Sequence, residues 1–344
     1  MSLVFNIPYD VLVLSCYRFR YVFYKKVGRI VKKYLVLNRN ANFRLFVETS
    51  LYNLTMAIEF ESTYAKAKRD DEGYRKSIST IPTWGEKLHL LTSAPDLCSL
   101  YYSCGDTLLI NIHGGGFCYK HPLDDDALCK YISQTYCVSV LNVDFSSSVK
   151  WGYPVQLIEI DRQINAFLLE HPMRRIILQG HSSGANLAAS LLERWIKNKT
   201  HEVTALVLNY PILDLSIEAK DRPQIEGLWP NELYDDWIRF YAPNRINRKD
   251  PSISPLYMPK SIAKEFPSTY IVSCEIDRIK DDAVRFANLL KDAKVETRHY
   301  ISSERHGFIE RNMKDVYHLP NDPSVRYAKT IVDQAIVFAL TAAN

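Results

Sequence analysis

From residue 107 onward the chain alternates between short, β-rich apolar runs and longer stretches with helical spacing. The runs are "TLLINI" (107–112), "CVSVLNV" (137–143), "RRIILQ" (174–179), "VTALVLN" (203–209), "STYIVSC" (268–274) and "VETRHYI" (295–301). Between most of them lie "DDALCKYISQ" (125–134), "PVQLIEIDRQINAFLLE" (154–170), "ANLAASLLERWIKN" (185–198) and "DDAVRFANLLKDA" (281–293). Strands buried on both faces read as continuous apolar runs, and a helix between each pair makes the connections parallel crossovers. The pattern therefore predicts an α/β fold: a mostly parallel central sheet flanked by helices, with sites forming at the carboxyl ends of the strands. The stretch from about 215 to 260, with "LWPNELYDDWIRFYAPN", interrupts the alternation. It reads as an insertion placed to act as a helical cap.

Charge separates the N-terminal end from the rest. Of a net +4 over 344 residues, positions 1–47 hold nine Lys or Arg against Asp10 alone. Leu12, Cys16, Phe19, Phe23, Val27, Ile30 and Tyr34 recur at spacings of three and four, with most of the basic residues off that stripe. An amphipathic helix over this region has two readings: it packs on the main domain as part of a cap, or residues 9–35 make a peripheral membrane contact. No nucleic-acid-binding module accompanies the charge, so a nucleic-acid partner is not expected. The polar "YAKAKRDDEGYRK" (64–76) reads as a loop or frayed helix end, which puts an organisational boundary near residue 80, between an N-terminal helical region 1–80 and the main α/β domain 81–344. "VLVL" (11–14) is too short for a signal sequence and no apolar run reaches 18 residues, so the expected location is cytoplasmic or peripheral on a membrane's cytoplasmic face. Seven scattered cysteines show neither a disulfide framework nor a metal-ligand spacing, and reduced, mostly buried thiols are expected.

Gly180-His181-Ser182-Ser183-Gly184 sits between a predicted strand and a predicted helix, the context in which a serine is presented on a tight strand-to-helix turn. His113-Gly114-Gly115-Gly116 follows "LLINI" and spends a quarter of the chain's twelve glycines on one loop. An acyl-transfer serine needs amide N–H donors for the oxyanion of its tetrahedral intermediate. The amides of Gly114, Gly115 and Ser183 are the candidates. The serine also needs a base held in one tautomer by an acid. After the turn, the loop following "STYIVSC" offers Glu275, Asp277, Asp281 and Asp282, and the loop following "VETRHYI" offers His306. Among the other histidines, His181 would point away from Ser182, His299 lies within a strand, and His113 suits an orienting hydrogen bond.

Together, "HGGGF", the serine turn, "EIDRIKDDA" and "RHGF" resemble, in order, the signature segments of the hormone-sensitive-lipase-like branch of the α/β-hydrolase fold. "VDF" with "YPVQL" (143–157) and "ISPLYM" (253–258) add to the likeness, which covers roughly 80–320. The resemblance implies Ser182, Asp277 and His306 as a catalytic triad and Asp282 as a structural carboxylate. That mechanism requires no metal or organic cofactor. Trp229, Tyr234, Trp237, Phe240 and Tyr241 of the insertion, buried over the site, would favour a small hydrophobic ester as substrate, of short-acyl, lipid or sterol type. Two departures bear on the substrate. "SSSVKWG" replaces the family's usual Arg-Leu-Ala-Pro run, and His181 before the serine is similar to kynurenine formamidases, which makes an amide or formamide hydrolase the alternative.

Overall fold

The computed structural model describes residues 63–243 and 246–342, and the basic stretch 9–35 with its cap and membrane readings lies outside them. Residues 63–77 are helical (α1). The strands are β1 (Glu86–Leu88), β2 (Ser99–Tyr102), β3 (Thr107–Ile112), β4 (Ser139–Val143), β5 (Arg175–His181), β6 (Ala205–Asn209), β7 (Ser268–Ile276) and β8 (Thr297–Arg305). The helices after α1 are α2 (Asp126–Tyr136), α3 (Val155–Glu170), α4 (Ser183–Asn198), α5 (Asn231–Tyr241), α6 (Lys260–Ala263), α7 (Lys280–Asp292), α8 (Phe308–Met313) and α9 (Pro323–Ala342).

The sheet runs in the order β1-β2-β4-β3-β5-β6-β7-β8, parallel from β4 to β8, with β1 and β2 antiparallel at one edge. Side chains alternate across it as the two-residue repeat of a strand demands. Leu108, Ile110 and Ile112 pack with Ile160, Ile164 and Phe167 of α3 and with Leu187, Leu191 and Trp195 of α4. Leu109 faces the other way, into a second apolar cluster with Leu128 and Ile132 of α2 and Ile331, Ile336 and Phe338 of α9. The chain leaves β3 for β4 on one side and reaches β5 on the other, so the strand order reverses between β3 and β5. Loops leaving those two strands diverge to opposite faces, which opens a crevice at their carboxyl ends.

The strands and helices expected from the alternation form within a few residues of their predicted bounds. Elements outside the expected set also form, among them β1, β2, α1 and the 20-residue α9. Strands β1 and β2 pair antiparallel at the edge and are too short, at three and four residues, to stand out as periodic runs. The polar segment 64–76, expected as a loop or frayed helix end, is the body of α1. Arg75 explains this: it pairs with Asp71 one turn earlier at 3.2 Å, forms an ion pair with the fully buried Asp144, and donates to the carbonyls of Asp96 and Phe145 at 3.3 and 3.1 Å. Tyr74 stacks on His121, with ring centroids 3.7 Å apart. Two anchoring side chains thus hold a helix whose other positions are mostly polar and solvated, and the packed body begins before residue 80. Among the described residues no helix is long and apolar enough to cross a membrane.

Burial pushes the Asp144 carboxyl above its ordinary value, and Arg75 opposes that rise. Removing one partner of a buried pair strands the other charge. Arg75→Met is therefore expected to lower unfolding stability by about 3 kcal/mol or more, read as a drop in the urea midpoint at neutral pH.

Candidate active site

Ser182 is the hinge between β5 and α4. Its φ of 53° and ψ of −114° lie in a region that an L-residue occupies only under constraint, at a cost of roughly 1–3 kcal/mol. The constraint is visible on both sides. The Ser182 amide donates to the Asn209 carbonyl at the end of β6 at 2.9 Å, and the Ser182 carbonyl accepts from Ala185 at 3.1 Å in the first turn of α4. Glycine at 184 is needed for proximity: a Cβ there would sit 2.1 and 2.3 Å from the carbonyl oxygens of Ile112 and His113. Helix α4 is thereby pressed against the end of β3, and the serine turn meets the glycine loop.

The structure brings Ser182, His306 and Asp277 together from three different strand ends. His306, in the loop between β8 and α8, lies with Nε2 2.8 Å from Ser182 Oγ and Nδ1 2.7 Å from Asp277 Oδ2. Asp277 follows β7 and is buried; its Oδ1 accepts the Ile279 amide at 3.2 Å. An imidazole whose Nδ1–H donates a hydrogen bond to a carboxylate presents Nε2 as acceptor to the hydroxyl, the arrangement that lets a serine lose its proton as it attacks. The Trp229 ring stands edge-on to His306, centroids 4.7 Å apart at 82°. The remaining acid candidates are elsewhere: Glu275 pairs with Lys280 at 3.1 Å, Asp281 is exposed on α7, and Asp282 is buried, accepting the Leu213 and Asp214 amides at 2.9 and 3.0 Å and the Arg222 guanidinium at 2.9 Å.

Of the three amide candidates, Gly115 and Ser183 line a cavity of about 250 Å³ together with Ser182 and His306. Gly114 lies against the serine turn, where a Cβ would come 3.3 Å from Ser182 Cβ. Gly115 has φ of 113°, reachable without strain only by glycine, and it turns the loop so that its carbonyl accepts the Tyr119 amide at 2.9 Å. His113 is fully buried, stacked on Phe145 at 4.3 Å, with Nδ1 2.9 Å from the Gly114 carbonyl. It braces the loop. From the 215–260 stretch, Trp229, Tyr234 and Trp237 line the cavity, whereas Tyr241 packs behind it, stacked on Phe117 at 4.0 Å.

Lys120 and Glu310 also border the cavity and were not anticipated from the sequence. They form an ion pair at 3.4 Å, and Glu310 also accepts from the Tyr210 hydroxyl and lies 3.7 Å from His181 Nδ1. His181, as expected, turns away from Ser182, into this buried group. Burial pushes Glu310 up, but Lys120 and His181 outweigh it and hold the carboxyl below its ordinary value. Beneath them Asn111 bridges Asp125 and Asn142 at 2.9 and 3.0 Å and accepts from Gln179 at 2.9 Å. The available signal was a polar residue near the end of each apolar strand: Asn111, Asn142, Gln179 and Asn209. Among the described residues no group of three or more His, Cys, Asp or Glu side chains is arranged to hold a metal ion.

A family model for the alpha/beta hydrolase fold matches residues 109–310, more than half of the chain, from β3 to α8. The chain belongs to that family. It is similar to an esterase of Acinetobacter venetianus, 26% identical over 193 residues that cover 55% of this chain and 63% of that protein. It also matches an FAD-linked oxidoreductase of Aspergillus terreus, 27% identical over 201 residues, 55% of this chain and 24% of that one. The chain thus spans less than two thirds of the length of either relative. Among solved structures, brefeldin A esterase, described as a bacterial homologue of human hormone-sensitive lipase, shares the fold with a TM-score of 0.62 at 15% identity, covering 82% of this chain and 87% of that one. The branch that the motifs resemble is therefore also represented among the fold neighbours.

Two histidines beside the site set an acid limit on stability. Burial drops His113 to about 3 and His121 to about 2, against an ordinary value of 6.5. As pH falls through about 6.5 the unfolded chain takes up protons that the native state refuses, so stability falls with pH, by up to about 1.4 kcal/mol per unit for each histidine. Urea midpoints from about pH 7 to 4 should decline, and His121→Phe, which keeps a ring on Tyr74 and removes one titration, should make the decline shallower.

Proposed function

We propose that this chain is a serine carboxylic-ester hydrolase working through an acyl-enzyme. The observation that carries the reading is the continuous chain of hydrogen bonds from Ser182 Oγ through His306 to the buried Asp277, opening on a cavity with mainly apolar walls. Ser182 Oγ attacks the ester carbonyl carbon as its proton passes to His306 Nε2. Asp277 holds the Nδ1 proton and balances the charge of the imidazolium. The carbonyl oxygen becomes an oxyanion met by the amides of Gly115 and Ser183, with Gly114 beside them. Collapse of the intermediate breaks the bond to the alkoxy oxygen, which takes the proton from His306 and leaves as alcohol. Water, deprotonated by the same imidazole, then repeats the sequence on the acyl-serine and releases the acid.

The substrate reading is a small hydrophobic ester. Phe117, Ile212, Trp229, Trp237, Ile238 and Ile279 give the cavity an apolar surface, and about 250 Å³ accommodates a compact acyl or alcohol group. The sequence likeness to an esterase points the same way. The formamide reading rested on His181, and this side chain is buried among Gln179, Tyr210 and Glu310 instead of facing the cavity.

The test is turnover of a p-nitrophenyl ester series, acetate to laurate, by the wild type and by Ser182→Ala and Asp277→Asn. Losses of roughly 10³-fold or more are expected in both variants, since members of such a triad act as a unit, with folding intact by circular dichroism. Short acyl chains should be preferred. A wild type that is inert on every ester yet turns over N-formylkynurenine would overturn the ester assignment while leaving Ser182 as nucleophile.

A further inference from the structure

Most of the described cysteines fit the expectation of buried thiols: Cys98, Cys118, Cys129 and Cys274 are buried. Cys104 and Cys137 are both exposed, and their Sγ atoms lie 2.8 Å apart although 33 residues separate them in sequence. Cys104 sits in the turn between β2 and β3, and Cys137 caps α2 just before β4 in the left-handed conformation, φ 50° and ψ 50°. The two segments are already fastened without a covalent link. The Cys104 amide donates to Ser139 Oγ at 3.1 Å, the same hydroxyl donates to the Gly105 carbonyl at 2.7 Å, and a Cβ on Gly105 would come 2.2 Å from the Cys137 carbonyl oxygen. Cross-linking two cysteines fails when their backbones must move to meet; here they have met.

We propose that Cys104 and Cys137 form a disulfide in the native protein under oxidising conditions, a modification site at the amino-terminal edge of the sheet. The oxidant is a low-molecular-weight disulfide such as oxidised glutathione. A thiolate of one cysteine attacks a glutathione sulfur, the S–S bond of the reagent breaks, and one glutathione thiol leaves. The second cysteine, losing its proton, attacks the resulting mixed disulfide at the protein sulfur and expels the second glutathione. Two protein thiols are oxidised and one glutathione disulfide is reduced to two thiols. Exposure gives the reagent access to this pair, whereas the other described thiols are shielded.

The closed loop runs from 104 to 137 and contains β3, the glycine loop and α2. The link lies at the start of β3, and the glycine loop follows its far end, roughly 20 Å away along a six-residue strand. Oxidation therefore acts on stability and leaves the cavity unchanged. Constraining the unfolded chain over a loop of this length raises the melting temperature by an amount on the order of 5 °C.

The experiment uses the full chain, incubated with oxidised glutathione and then digested without reductant. Expected are loss of two titratable thiols, a mass decrease of two hydrogens, a peptide joining residues 104 and 137, and a melting temperature that rises on oxidation and returns with dithiothreitol. Any ester turnover should be the same in both states. Cys104→Ser should abolish the cross-linked peptide and the redox dependence, and Cys137→Ser serves equally if the first variant does not fold. Both thiols remaining free, or each stopping as a glutathione adduct with no joined peptide, would overturn the proposal, and neither result depends on whether the protein hydrolyses esters.

Discussion

Gly184 is the point where three parts of the molecule must touch. Its Cα faces the carbonyls of Ile112 and His113, so the first turn of α4 rests directly on the end of β3. A side chain of any size at 184 would separate them. From that approach follow the tight turn at Ser182, its positive φ, and the contact between the serine turn and Gly114. The strain is borne by what flanks it: a hydrogen bond from the Ser182 amide to the Asn209 carbonyl on one side and a sixteen-residue helix with a large buried face on the other. A strained residue persists only where its surroundings over-determine it, and here those surroundings are the sheet and the buried face of α4. The cost is local and the support comes from the whole core.

A second constraint runs underneath. Asn142, Asn111 and Gln179 lie side by side on β4, β3 and β5 and bond to one another directly, and the network continues through His181 to Tyr210, Glu310 and Lys120. Each of these groups belongs to a segment that must be positioned: Asn111 to the strand feeding the glycine loop, His181 to the serine turn, Tyr210 to the end of β6, Glu310 to α8 just past His306. Buried polar groups are costly unless satisfied and directional when they are. Apolar packing could hold these strand ends together equally tightly, yet it would fix their relative heights less sharply. The hydrogen bonds set register where hydrophobic contacts set only proximity.

The parallel part of the sheet and the serine turn were legible in the sequence because both depend on patterns local in the chain, whereas the choice of Asp277 among Glu275, Asp277, Asp281 and Asp282 came only from the family resemblance. Apolar runs of five to seven residues are legible as buried strands, and a serine between glycines at a strand-to-helix junction needs only a few residues to be recognised. Helix α1 was hidden for the opposite reason. Its attachment rests on Tyr74 and Arg75, whose partners His121 and Asp144 lie 47 and 69 residues away, and a helix that is polar over most of its surface shows little periodicity. Lys120 and Glu310 are 190 residues apart and look like ordinary surface charges until the fold buries them. The Cys104 and Cys137 pairing escaped detection likewise, since a separation of 33 residues matches no common spacing.

The two ends of the sheet are specialised differently, and the parallel topology is the cause. At the carboxyl ends of β3, β4, β5, β7 and β8 each connection leads from the strand into a helix, so backbone amides of loops and helix starts converge there, and the described cavity is built from them. At the amino-terminal ends most connections return from helices, with carbonyls and caps such as the left-handed Cys137. Donors that can meet developing negative charge are therefore concentrated at one end, which explains why Ser182, the glycine loop, Asp277 and His306 all lie on that side although they come from four different strands. The opposite end is free to accept changes that alter stability alone.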